Sequence, residues 1–275
     1  MRKLFKLVII MLLLVFICTS QSCAVTSRNN KSADTKLIFS PSLEKIPSKL
    51  ANAMKKDFDI CSYKVLQQIV TSHTKDYHIT KEQFKKIYDN FPEKSNILKI
   101  HFIQYQKDQN YSKDYPELLP FDKQLYIIYS YNEDSDKYYG IFSLEDAIEI
   151  APKDFVLMKN DYNINIKKEI AKSNCVSEEK QTNYVNIKKD EIKKYLDDIE
   201  KFELYSGVKG QIVKFILSTV SNDDTYNGAK IANQGMSGQL TLITDTWAKN
   251  TSSSRIAELS DYDLNTLCPS NCDAR

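Results

Sequence analysis

The chain has 275 residues, 42% of them hydrophobic, and 38 Lys and Arg against 36 Asp and Glu give a net charge of +2. Charges of both signs alternate along it, so no basic field calls for nucleic acid. Six Gly and seven Pro are too few for a disordered or fibrous chain.

Arg2, Lys3 and Lys6 precede an unbroken apolar run from Leu7 to Ile17, and Thr19, Ser20 and Ser22 follow it. That is the layout of a secretory signal peptide. The run is too short to span a bilayer, which takes about 20 apolar residues. Residues 1–23 are therefore read as a leader. Ser20-Gln21-Ser22-Cys23 resembles the lipobox of bacterial lipoproteins, which implies lipid attachment at Cys23. Small Ser22 suits that pattern, whereas Ser20 stands where it wants an aliphatic residue. Ordinary cleavage after Ser22 or Ala24 is the alternative and would release a secreted chain. Residues 24–40 are poor in apolar side chains and read as a flexible tether.

Residues 41–275 read as a single globular domain of α+β class, a mixed or antiparallel sheet packed by amphipathic helices. Ser48 to Phe58 is a short helix after Pro47, and Val65, Leu66, Ile69 and Val70 space a second one over 59–72. Thr80 and Gln83 form a capping box for a helix whose face is Phe84, Ile87, Tyr88 and Phe91. Ile97 to Tyr105 is a strand, 107–123 a long polar loop, and Gln124 to Phe142 a hairpin. Ser143 would cap a helix ended by Pro152, with one more helical turn over 154–160, and 161–182 reads as irregular. After a strand at Tyr184 to Ile187, Ile192, Tyr195, Leu196, Ile199 and Phe202 make one apolar helical stripe. Strands follow at Gln211 to Val220 and Gly238 to Trp247, and the tail reads mostly as loop. Ile79 to Lys86 and Ile187 to Lys194 read alike, each opening a helix and then a strand; two readings fit, a shared Lys-rich amphipathic composition or a duplication into two helix-strand-strand halves.

Outside the cytosol, Cys61, Cys175, Cys268 and Cys272 are disulfide candidates with three alternative pairings. A local Cys268–Cys272 bridge is the favoured pairing, and Cys61 with Cys175 is the remainder. No Gly-x-Ser-x-Gly, His-Glu-x-x-His or phosphate-binding Gly loop is present, so no catalytic residue or cofactor is assigned. A metal site would need His73, His78 and His101 with Asp76, at spacings that favour none. Asp223, Asp224 and Asn227 lack EF-hand spacing. Tyrosines crowd residues 105–139, and Tyr111 and Tyr115, placed in the loop, are the binding candidates for a protein or glycan partner.

From Asp190 through Gly210-Gln211-Ile212-Val213, Gly238-Gln239-Leu240-Thr241-Leu242 and Tyr262 to Leu267-Cys268-Pro269-Ser270-Asn271-Cys272, the last third resembles uncharacterised envelope proteins of Bacteroidetes. That resemblance implies an exported, lipidated protein with a terminal Cys-Pro-x-x-Cys-like turn, and it implies no activity. The expectation is a non-catalytic binding or accessory module of the cell envelope. A secreted hydrolase or an immunity-type lipoprotein is the alternative.

Overall fold

The computed structural model describes residues 43–132, 134–140, 147–221, 237–248, 255–256, 259–264 and 266–269. The leader, the tether, Cys23, Ser143, Asp223, Asp224, Asn227 and Cys272 lie outside them. Residues Ser40–Arg275 form one compact unit. No helix among the described residues is long and apolar enough to cross a membrane.

Strand β1 (Leu43–Lys45) leads through Pro47 into α1 (Ser48–Phe58), which buries Leu50, Ala51, Met54 and Phe58 at helical spacing. A π turn (Asp59–Tyr63) carries α1 straight on into α2 (Lys64–Ile69). The two helices read from the sequence are thus one rod with a single wide turn, and that turn holds Cys61. Strand β2 (Asp76–Thr80) follows and carries His78. Thr80 caps α3 (Lys81–Asp89): its hydroxyl accepts from Gln83 N at 3.1 Å, and the Gln83 side chain accepts from Thr80 N at 2.7 Å. Strands β3 (Ile97–Gln104), β4 (Leu125–Tyr131) and β5 (Asp134–Gly140) come next. The loop between β3 and β4 winds into 3-10 turns at Asn110–Asp114 and Pro116–Phe121.

Glu149–Ile150 is strand β6, and Pro152 opens a helix rather than ending one. Proline fits the first helical position because no N–H is needed there. That helix, α4 (Pro152–Asp161), runs through a second π turn (Tyr162–Lys167) into α5 (Lys168–Ala171), where irregular chain was expected. The stretch looked irregular because Asp154, Asp161 and Lys167 are polar yet buried. Strand β7 (Thr182–Lys188) and α6 (Lys189–Ser206) follow; the α6 stripe of Ile192, Tyr195, Leu196 and Ile199 turns inward. Strands β8 (Gln211–Thr219), β9 (Leu240–Ala248), β10 (Arg255–Ile256), β11 (Tyr262–Leu264) and β12 (Thr266–Pro269) complete the chain. The tail is therefore partly sheet. Cys268 lies in β12 opposite Tyr184, as a strand residue and not the start of a turn, and its bridge to Cys272 falls outside the described residues.

Two antiparallel sheets result, β1-β11-β9-β8-β2 with β10 on β9, and β12-β7-β3-β4-β5-β6. The chain repeats itself. Helix, π turn, helix, strand, helix, strand, excursion and strand occur first over 48–131 and again over 152–248. The repeats exchange strands: β3 and β4 of the first pair with β7 of the second, and β8 and β9 of the second with β2 of the first. Helices α3 and α6 carry the chain from one sheet to the other. Between them Phe84 meets Tyr195 and Phe215 edge-on at 6.1 and 5.9 Å. Helix α1 packs on Ile243 and Ile216 of the first sheet, and α4 sets Phe155 against His101 and Tyr138 of the second.

A four-charge cluster ties α1 to β9, β10 and the turn before β11. Asp245 accepts from Lys55 at 3.1 Å and from Arg255 at 3.0 Å, and Asp261 from Arg255 at 2.5 Å and Ser48 at 2.6 Å. The Asp245 carboxylate also accepts from Asp261 N at 2.8 Å, which holds Asp261 at φ +64.

Two histidines are buried neutral. The Nε2 of His73 accepts from Leu125 N at 2.7 Å, so Nδ1 carries the proton and donates to Thr74 O at 2.7 Å. Burial lowers its pKa to about 4. His101 sits against Ser130 at 2.8 Å; burial, with Lys159 and Lys99 nearby, lowers its pKa to about 3. Both folded values lie below the unfolded value of about 6.5, so the stabilisation is complete above that pH and is lost as pH falls. Each group should cost on the order of 3 kcal/mol by pH 4. Urea unfolding at pH 7, 5.5 and 4 should show this steep loss, and a flat profile would contradict the buried neutral assignment.

Candidate functional site

The tyrosine-rich excursion between β3 and β4 is a strut, not an exposed binding loop. Tyr111 and Tyr115 are 2% and 5% exposed. The Tyr115 hydroxyl donates to Asp154 at 2.9 Å and accepts from Ala151 N at 2.9 Å. The Tyr111 hydroxyl donates to Asp161 at 3.4 Å and accepts from Gln106 N at 3.1 Å. Asp154 and Asp161 lie two turns apart on one side of α4, which places both carboxylates toward the excursion. Burial pushes the Tyr115 phenol up to about 12, raises Tyr111, and raises the Asp161 carboxyl. The two rings read as partner-facing therefore fasten the excursion to the helix.

What that fastening positions is a cleft of about 410 Å³ at the base of the excursion. Its floor is a chain of carboxamides. The Asn165 Nδ2 donates to Gln104 Oε1 at 2.8 Å, and Gln104 Nε2 donates to Lys123 O at 2.8 Å. Gln106 leans on the same Gln104 oxygen at 3.5 Å. Gln68 and Ile69 at the end of α2 form one wall; Ile164 and Glu169 form the other. Asn165 and Ile164 belong to the second π turn, the type of wide turn that recurs at functional sites.

The internal repeat supplies a comparison. Met54-Lys55-Lys56-Asp57-Phe58-Asp59-Ile60 aligns with Met158-Lys159-Asn160-Asp161-Tyr162-Asn163-Ile164, which sets Cys61 in register with Asn165. Lys123-Gln124-Leu125 aligns with Gly238-Gln239-Leu240 in the same way. Lys123 N donates to Tyr105 O at 2.8 Å, and Gly238 N donates to Val220 O at 3.0 Å. Both residues are left-handed, at φ +61 and +81. In the second repeat only glycine fits, because a Cβ on Gly238 would collide with the Cys175 carbonyl. Beside Gly238 the first π turn is tied down by the Cys61–Cys175 disulfide, with Cα atoms 5.8 Å apart, at a cleft of about 460 Å³ lined by Cys175 and Ser237. Beside Lys123 the second π turn brings Asn165 in place of the cysteine, and no bridge crosses that cleft. Lys123 keeps the left-handed backbone at a cost of about 1 kcal/mol and brings a long cationic side chain to the lip.

No protein-family model, curated protein or solved structure matches this chain. The site therefore rests on its own geometry. His73, His78 and His101 do not meet: the first pins Leu125, the second lies on β2 beside Asp76 at 3.9 Å, and the third packs among Tyr138, Phe155 and Tyr184. No group of three His, Cys, Asp or Glu capable of holding a metal occurs among the described residues. Of the cysteine candidates, Cys61 and Cys175 are joined, the pair the sequence left as a remainder. Gln104, Gln106, Lys123 and Asn165 were not singled out in the sequence, although aligning Met54–Ile60 with Met158–Ile164 would have drawn attention to Asn165.

Proposed function

We propose that the protein is an exported, lipid-anchored binding module of the cell envelope, and that its cleft takes a short neutral glycan. The leader and Cys23 support the first part. The second part is carried by one observation: Lys123 holds a strained backbone, where the other repeat has glycine, at the mouth of an amide-floored cleft. Carboxamides both donate and accept, as sugar hydroxyls do. Lys123 and Glu169, the latter paired with Lys172, bring one charge of each sign to the lining, and Ile69 and Ile164 offer apolar surface to a ring's C–H face. A cleft of this size suits one or two sugar rings.

The hydrolase reading is less well supported. Glycoside hydrolysis uses a pair of carboxyl groups. Glu169 is the carboxylate of the described lining, and it is paired with Lys172 at 2.5 Å.

Asn165→Ala removes the shorter of the two donors to Gln104 Oε1, leaving Gln106 at 3.5 Å, and should weaken capture of a neutral N-acetylated disaccharide at least tenfold, a loss of about 1.4 kcal/mol or more. Isothermal titration of wild type and variant reads this directly. Equal affinities, with the circular dichroism of both unchanged, would remove the cleft from the account.

A further inference from the structure

The outward side of α4 is more apolar than its position requires. Val156, Leu157 and Ile164 are 61%, 44% and 54% exposed, and Leu119 on the adjoining excursion is 49% exposed. The repeat again provides the comparison. In α1, Asn52 and Ala53 occupy the positions of Val156 and Leu157, while Ile60, 50% exposed, matches Ile164. The same helix thus presents an Asn and a small Ala in one repeat and two larger aliphatic side chains in the other. Packing against the sheet does not explain the difference, because these positions point away from it.

Exposed lysines neighbour the aliphatic residues: Lys153 lies one turn from Val156 and Leu157, Lys168 of α5 one turn from Ile164, and Lys123 lines the cleft with Ile164 and Glu169. Aliphatic side chains framed by lysines are the composition of a surface that lies in an anionic lipid interface. We propose that this face of α4 rests on an anionic membrane surface. The proposal builds on the lipid-anchor reading in one respect: a lipid on Cys23 would keep the body near a bilayer. Ile164 belongs to both features, so the cleft would open at the membrane's edge.

The test uses the chain from Ala24 onward, without leader or lipid, which retains the whole Ser40–Arg275 unit. It is sedimented with vesicles of phosphatidylcholine containing about one third phosphatidylglycerol, in low and moderate salt. The expected result is binding that weakens with salt and falls at least tenfold in Val156→Asp/Leu157→Asp. Asn52→Asp/Ala53→Asp, the matching change on α1, should bind as wild type does. Asn52, Val156 and Leu157 are exposed and Ala53 is half-buried, so the comparison is made on variants whose circular dichroism matches wild type, with Asn52→Asp alone as a second control. A wild-type chain that ignores the vesicles, or an α4 variant that binds as well as wild type, would overturn the proposal. The anchor is tested separately by the intact mass of the protein from its host's membranes. A lipidated chain whose body ignores vesicles would sink only the face. A bare chain whose body binds them would sink only the anchor.

Discussion

Cys61→Ser/Cys175→Ser should unfold at markedly lower urea, with a stability loss of about 4–5 kcal/mol. The bridge spans a sequence separation of 114 residues, so in the unfolded chain it closes a long loop. Closing such a loop removes much of the denatured state's freedom, and that loss is what stabilises the fold. The bridge also ties the first π turn to the chain just beyond α5, so its removal should loosen the two long helices relative to each other. Unfolding curves of the variant, and of wild type under reductant, should agree. A loss under about 1 kcal/mol would mean that the unfolded chain is already compact around these residues.

Asp245→Ala should cost about 3–5 kcal/mol, the second large effect. Its side chain is 2% exposed and takes both Lys55 and Arg255, whose side chains are 24% and 32% exposed. Truncating it leaves two cations facing Asp261 alone and frees the Asp261 N–H that fixes the left-handed turn. Asp261's own carboxyl lies below the usual carboxylate range: burial alone would raise it, but Ser48, Arg255 and Lys55 overcome that. The surface pair Lys85 and Asp89 on α3 is the control. Both are about half exposed, and Asp89→Ala there should cost no more than about 0.5 kcal/mol. If the two alanine variants proved equal, the buried cluster would have no special part in joining α1 to β9 and β11.

Strong local signals in the sequence carried the fold class. The Thr80 and Gln83 box, the α6 stripe and the alternating strand β3 stand where periodicity and capping placed them, and the likeness of Ile79–Lys86 to Ile187–Lys194 does mark a repeat. The exchange of flanking strands between its halves was not legible, because pairing partners distant in sequence leave no local pattern. Pro152 was misread because proline either stops a helix or opens one, and a polar run followed it. The π turns left no periodic trace: each adds a residue to one turn and shifts the apolar stripe, which made one rod look like two helices or like loop. Tyr111 and Tyr115 looked exposed because their neighbours are polar. Their partners, Asp154 and Asp161, are distant in sequence. The cleft was missed for a similar reason. Gln104, Gln106, Lys123 and Asn165 are ordinary polar residues one at a time, and only the fold brings them together.

The most direct test of the binding account is the side-chain amide spectrum of the ¹⁵N-labelled chain during titration with a neutral N-acetylated disaccharide. The cleft reading predicts that the Gln104, Gln106 and Asn165 carboxamide signals move together and saturate, while the buried amide of Gln181 stays still. Signals that never move, or that drift uniformly across the protein without saturating, would contradict it.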